Sequence, residues 1–274
     1  MATLVDRCLQ MAEEKSSKTV GEIVAAVAGR SPRFRTLRAT LAGKFKPGNL
    51  RVGGATLRPR KYAFCAGFQP IPVISLGAAP WKSLSPFFLG PVADAGNVEN
   101  YWQFHKVWAD VARQRQIKRP KNKPVRTIWV WPRETHVSAS GEILPAYWRW
   151  RAAGFANAEP VRRPNGRQIP LFSLFRGKKL GLVEAREQVY IPAYRAAASR
   201  SPVFHRLLAK LRAGERLVLI DLDGPKLDLH PEGAVADPSR LQAWVARDAD
   251  EKGRYFPYGH GYVLAALLLE YLGA

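Results

Sequence analysis

Cysteine is scarce. Cys8 and Cys65 are the only two among 274 residues, which is too few for a disulfide framework, and they form no metal-binding motif. An intracellular, reducing compartment, the cytoplasm, is the expectation. No apolar run reaches the roughly 18 residues that a bilayer span needs. The longest, Tyr262 to Leu272, is short and carries Glu270, so no membrane partner is expected. The first residues include Asp6, Glu13 and Glu14 and no apolar segment of signal-peptide type, which argues against secretion. A Walker-type phosphate loop, a Gly-x-Gly-x-x-Gly fingerprint, a His-Glu-x-x-His pair and the cysteine pair of zinc deaminases are all missing. The five histidines (His105, His136, His205, His230 and His260) are scattered, and each reads as a structural or surface residue. No metal and no redox cofactor is expected.

Acidic residues are also few. Lys and Arg number 43 against 22 Asp and Glu, a net charge of +21. The imbalance is uneven: residues 215–274 hold 6 basic and 10 acidic residues, whereas residues 1–214 hold 37 and 12. Between Glu22 and Asp94 there is no acid, while Arg30, Arg33, Arg35, Arg38, Lys44, Lys46, Arg51, Arg58, Arg60, Lys61 and Lys82 all fall there. Such an excess attracts a polyanion through phosphate neutralisation and counterion release. DNA or RNA is the expected partner. A membrane surface fits less well, because no strongly amphipathic basic helix with an aromatic face is visible.

The spacing predicts a small basic helical module over residues 1–60 and a larger domain over 61–274. Thr3 to Asp6 and Thr19 to Glu22 fit the capping-box pattern, and Ser31-Pro32 is a cap followed by proline at the first helical position. Three helices are expected, near 4–16, 20–28 and 32–44, and the third is basic enough to suit a helix-turn-helix-like DNA reader. Residues 48–67 read as a Gly/Pro/Arg-rich linker leading to a strand at 62–65, and 71–76 as a short β-run. Asn97 caps a helix, and 113–123 reads as a basic, proline-broken loop. A strand is expected over 125–131, a helix over 146–153 and a long helix over 182–199 interrupted at Pro192. Ser201-Pro202 opens another helix, Leu217–Asp221 is a continuous apolar strand, Asp237-Pro238 opens a further helix, and 261–272 forms the last. The fold class that follows is α+β.

The candidates for chemistry are carboxylates in apolar, aromatic settings. Glu99 lies in the first turn of a helix with Tyr101, Trp102 and Phe104. Its plainest role there is favourable interaction with the helix N-terminus. Asp221 and Asp223 end the apolar strand, and alternation places both on one face. Arg186 lies between Glu184 and Glu187 on the long helix.

The order of these pieces carries a resemblance. Leu84-Ser85-Pro86-Phe87 comes first, then Asn97-Val98-Glu99-Asn100-Tyr101-Trp102-Gln103-Phe104-His105-Lys106. Ser201-Pro202-Val203-Phe204 precedes the strand with its Asp221-Leu222-Asp223 end, and Gly259-His260-Gly261 opens the closing helix. Over about residues 80–274 this resembles the NADAR superfamily of N-glycosidases, in a divergent branch of the kind seen in phage and large viruses. Glu99, Gln103 and Lys106 fall at the family's Glu, Gln and Lys positions. Asn100 stands at its usual His, Phe87-Phe88-Leu89 at its Ser-Asn-Phe, Gly224-Pro225 at its Trp-Gly, and Tyr262 and Ala266 at its Asn and Gly.

The resemblance implies cleavage of a C1–N bond between ribose and a base-like leaving group, without cofactor; known members act on riboflavin-pathway intermediates and on ADP-ribose attached to guanine. It makes Glu99 the catalytic carboxylate, with Asp221 or Asp223 as a second acid or base. Gln103, Lys106 and Arg186 become substrate-binding candidates, Lys106 for a phosphate, and Trp102 and Trp131 become candidates to stack on a base. Nucleic acid is assigned to Arg33, Arg35, Arg38, Lys44, Lys46, Arg58, Arg60 and Lys61, and in the basic loop to Arg113, Arg115, Lys118 and Arg119. Two alternatives stand beside this reading: a nucleic-acid-binding protein that kept the fold without catalysis, and an enzyme that transfers a group to a DNA base.

Overall fold

The chain separates into two units, Met1–Phe45 and Lys46–Ala274. A computed structural model describes residues 45–54, 67–75, 77–119, 123–166, 168–222, 234–235 and 259–273. The expected N-terminal helices, the strand at 62–65 and the helix after Pro238 lie outside these residues, as do Arg33, Arg35, Arg38, Lys44, Arg58, Arg60, Lys61 and Asp223.

In chain order the elements are β1 (Leu50–Gly54), β2 (Gln69–Pro72), α1 (Val98–Phe104), β3 (Lys106–Val107), β4 (Asp110–Val111), β5 (Gln114–Lys118), β6 (Arg126–Trp131) and β7 (Glu134–Thr135). There follow α2 (Pro145–Ala156), β8 (Phe172–Phe175), β9 (Lys178–Leu180), α3 (Leu182–Ala185), a π-helical turn (Arg186–Tyr190) and α4 (Ile191–Ser199). The last are α5 (Pro202–Arg212), β10 (Leu217–Asp221), β11 (Ala234–Val235) and α6 (His260–Leu272). The described residues thus form a mixed α+β structure. Among them no helix is long and apolar enough to cross a membrane.

The main sheet has the order β11-β1-β10-β2. β10 lies between β1 and β2 and runs parallel to both, while β11 adds an antiparallel edge. All five residues of β10 are buried, as expected for a parallel strand covered on both faces. Among the described residues β2 is flanked by β10 alone; Gln69 and Val73 donate their amides to the chain of that neighbour, so Pro70 and Pro72 fall where an amide would point away from it. β1 corrects the expected linker. Leu50 and Val52 are fully buried, and alternation puts them on one face. The Arg between them and the Gly53-Gly54 that follows hide the strand signal. The parallel strands end together at Gly54, Pro72 and Asp221, and the carboxyl edge of such a sheet is where ligands bind in open α/β structures.

A second core is aromatic. Phe104, Trp108, Trp129, Tyr147, Trp150 and Phe155 pack together with Val107, Val111 and Leu174. Gly154 makes room for it: a Cβ there would sit 2.1 Å from the Phe104 ring. Two histidines are sealed into this region. His105 Nδ1 faces the Tyr101 carbonyl at 2.7 Å, and Arg151 Nη2 lies 2.9 Å from Nε2. The arrangement fits a neutral ring that donates from Nδ1 and accepts at Nε2. Burial, reinforced at His105 by the Arg151 charge, holds His105 and His136 down to about 4.

The folded chain therefore rejects protons that the unfolded chain takes up between about pH 6.5 and 4. The contribution of these two histidines to stability is expected to fall as pH drops through that window, by about 2–3 kcal/mol for the pair between pH 7 and 5.5. Urea midpoints measured across this range check it. His136→Leu should flatten the dependence, and an equally steep dependence in that variant would contradict the assignment.

The long helix runs without interruption from Leu182 to Ser199, so the expected break at Pro192 does not occur; the irregularity comes before it. Five residues before and around Tyr190 widen into a π turn. Pro192 supplies no amide, and its ring crowds the carbonyl four residues earlier; widening the preceding turn relieves both. Such turns recur at functional sites, and this one buries Arg186 and Tyr190.

Candidate functional site

Glu99 occupies the first turn of α1. Asn97 caps the helix by accepting the Asn100 amide at 2.8 Å. The preceding amides are taken by the loop motif: Val98 N donates to Leu89 O at 2.8 Å and Glu99 N to Pro86 O at 3.0 Å. The two sequence motifs thus meet, and the loop over 85–89 plugs the helix start. Asn100 is a brace. Its Nδ2 donates to Asn157 O and Glu159 O at 2.8 and 3.0 Å, and its Oδ1 accepts from Val161 N at 2.7 Å.

The Glu99 carboxylate is buried rather than turned to solvent, at 8% exposure. Gln103 Nε2 donates to Glu99 Oε1 at 2.9 Å, and Lys106 Nζ donates to Gln103 Oε1 at 3.0 Å. Helical spacing of four residues aligns the first pair. The result is a relay from ammonium through amide to carboxylate. Burial pushes the Glu99 carboxyl above its ordinary 4.5, against the Gln103 hydrogen bond and the charges of Lys106, Arg162 and His260. Burial pulls the Lys106 ammonium down to about 8, with Glu99 opposing and Arg186 and Arg163 assisting. The Lys106 ammonium also lies 4.5 Å from the centre of the Trp102 ring, so one face of Trp102 holds a cation. Trp102 in turn packs on Tyr190 at 5.3 Å.

The sheet edge supplies the other side. Asp221 is 1% exposed. Its Oδ1 accepts from Leu222 N and its Oδ2 from Gly261 N, each at 2.7 Å. His260 Nδ1 lies 3.5 Å from Oδ2, and His260 Nε2 lies 2.5 Å from the Val73 carbonyl. Asp221 thereby ties β10 to the start of α6 and to the residue after β2. Gly259 and Gly261 permit the approach: a Cβ on Gly259 would lie 2.2 Å from Asp221 Oδ2, and one on Gly261 would lie 3.0 Å from Asp221 Cβ. Tyr194 packs 5.8 Å from the His260 ring and donates to Leu84 O at 2.8 Å.

A row of rings links the two halves: Trp102 packs on Tyr190, Tyr190 stacks on Tyr194 at 6.2 Å, and Tyr194 faces His260. The Tyr190 phenol is pushed well above 10 by burial first, then by Tyr194, Asp221 and Glu99, with Arg186 opposing. Four cations, Lys106, Arg162, Arg163 and Arg186, act on Glu99, on Lys106 or on Tyr190.

Of the residues expected to form the site, Glu99, Trp102, Gln103 and Lys106 touch one another, Arg186 is buried in the π turn beside Trp102's partner Tyr190, and Asp221 is reached from Tyr190 through Tyr194 and His260. Trp131 does not join them: it stacks on Trp129 at 5.4 Å and donates to Glu134 at 3.1 Å. Lys46 is exposed ahead of β1, and Arg113, Arg115, Lys118 and Arg119 are all exposed. Sequence reasoning missed His260 and Tyr190. The glycines flanking His260 were the available signal for the first; Tyr190 had none, because only the π turn brings it inward. No protein-family model, curated protein or solved structure matches this chain.

Proposed function

We propose that the chain is an N-glycosidase-like hydrolase that cleaves the C1–N bond between ribose and a base, or between ADP-ribose and a base, on a nucleotide or nucleic acid. The observation that carries this reading is the Glu99 carboxylate, buried, raised above its ordinary range and linked through Gln103 to the Lys106 ammonium. Departure of the base leaves positive charge on the sugar. A carboxylate in a water-poor site stabilises that charge with little reorganisation. Water then adds its oxygen to C1, and its proton ends on the released base. Glu99 is the group assigned to the sugar. Lys106 and Arg186 are assigned to a phosphate, and the cations around them suit an anionic substrate. Asp221 is the positioning residue: with both oxygens engaged by amides, it holds His260 and the start of α6.

A rate profile in pH follows. Activity needs the Glu99 carboxylate and the Lys106 ammonium together. The rising limb is expected above 4.5, and the falling limb near 8 as Lys106 loses its proton. Lys106→Arg should keep activity beyond that limb, because a guanidinium stays charged. A falling limb unmoved by this change would remove Lys106 from the assignment.

The reading is tested by incubating the protein with nucleotides, DNA, RNA and ADP-ribosylated oligonucleotides, followed by mass spectrometry of released bases. A free base is the expected product. A base carrying a new group would favour a transferase, and binding without any product would favour a nucleic-acid-binding protein without catalysis.

A further inference from the structure

The segment read as a basic loop is a ribbon. β5 and β6 pair antiparallel, with Arg115 opposite Val130 and Lys118 opposite Arg126. From Val111 to Arg133 the chain carries eight Lys and Arg and no acid. Lys118 and Arg126 are each tied to Glu159 at 3.0 Å. Arg113, Arg115, Arg119, Lys123 and Arg133 are exposed and form no ion pair among the described residues. The inner face is anchored: Trp129 is buried in the aromatic core and stacks on Trp131, and Gln116 donates to Arg162 O at 3.0 Å. The other face instead sets exposed Arg115 opposite exposed Val130, and further exposed cations and apolar side chains lie along the segment. Ile117, Val125 and Val130 are 37%, 60% and 55% exposed. A register shift between Gln116 and Ile117 marks a bulge, which sharpens the right-handed twist of a ribbon.

We propose that this ribbon is a docking element for duplex DNA and enters the major groove. The inference is independent of the hydrolase reading. The major groove of B-form DNA, about 12 Å wide, admits a two-stranded β-ribbon. The exposed cations then meet phosphates on either side, and the apolar side chains face base edges such as the thymine methyl. Duplex RNA offers no equivalent, since its major groove is deep and narrow. Anchoring by Trp129 means that little ordering is needed on binding.

The test uses the full chain and a short fluorescent DNA duplex, with binding measured across salt. Replacing Arg113, Arg115 and Arg119 by Gln is expected to weaken binding and to reduce the slope of log affinity against log salt by about 2.7, at roughly 0.9 per lost phosphate contact. A control replacing Lys82, Lys178 and Arg206 by Gln removes the same charge elsewhere and should leave the slope unchanged. Equal effects of the two triple variants would overturn the proposal, as would tighter binding to duplex RNA, single-stranded DNA or anionic phosphatidylserine vesicles. A second measurement needs no variant. Bound wild-type protein should protect guanine N7, a major-groove atom, from methylation by dimethyl sulfate; unprotected N7 with full binding would exclude this groove.

Discussion

Glu99→Gln is expected to lower turnover by about 10²–10³, the usual cost of removing one preorganised group that meets developing charge. The substitution keeps the shape, and its carbonyl oxygen still accepts from Gln103, so the helix and the relay geometry should survive. Stability should move in a direction that separates a working carboxylate from a structural one. The folded state raises the Glu99 carboxyl above 4.5, so it binds more protons than the unfolded chain in the window above that value. Stability from this group is therefore fully present below pH 4.5 and lost as pH rises through the raised value. The Gln variant has no such loss. At neutral pH it should unfold at equal or higher urea than wild type, and the gap should close on acidification. A variant that is inactive and clearly less stable at pH 7 would make Glu99 a structural brace.

Gly259→Ala should be nearly as damaging, through position rather than charge. Its Cβ would lie 2.2 Å from Asp221 Oδ2 and 2.7 Å from Cγ. Asp221 has nowhere easy to go, because Leu222 N and Gly261 N hold its two oxygens. Either the strand end or the start of α6 must shift, carrying His260 with it. Overpacking of this kind costs about 1–3 kcal/mol, and a displacement near 1 Å at a reacting centre can cost about 10² in rate. Gly48→Ala is the control, since nothing lies within 4 Å of a Cβ there. Wild-type activity in Gly259→Ala would show that the Asp221–His260 arrangement is irrelevant to turnover.

Much of this region was legible where local chemistry decides structure. Asn97 and Ser201 cap their helices as the sequence indicates, each accepting a backbone amide. The apolar run Leu217–Ile220, closed by Asp221, reads directly as a strand buried on both faces. The four-residue spacing of Glu99 and Gln103 by itself places the two on one helix face. What was not legible depends on distant partners. Leu50–Gly54 is a strand because β10 and β11 pair with it, not because its own composition favours one. Gln114–Lys118 is almost entirely polar and becomes a strand through β6, whose tryptophans fix it to the core. Tyr190 and His260 enter the site through a π turn and a glycine-flanked helix start, and single residues do not announce either.

The most direct measurement counts both products of one reaction: free base by mass spectrometry and new reducing sugar ends in the same sample, for wild type and Glu99→Gln. Hydrolysis of a C1–N bond predicts equal amounts of the two from wild type and about 10²–10³ less of both from the variant. Base without a matching reducing end, or equal product from the two proteins, would contradict the account.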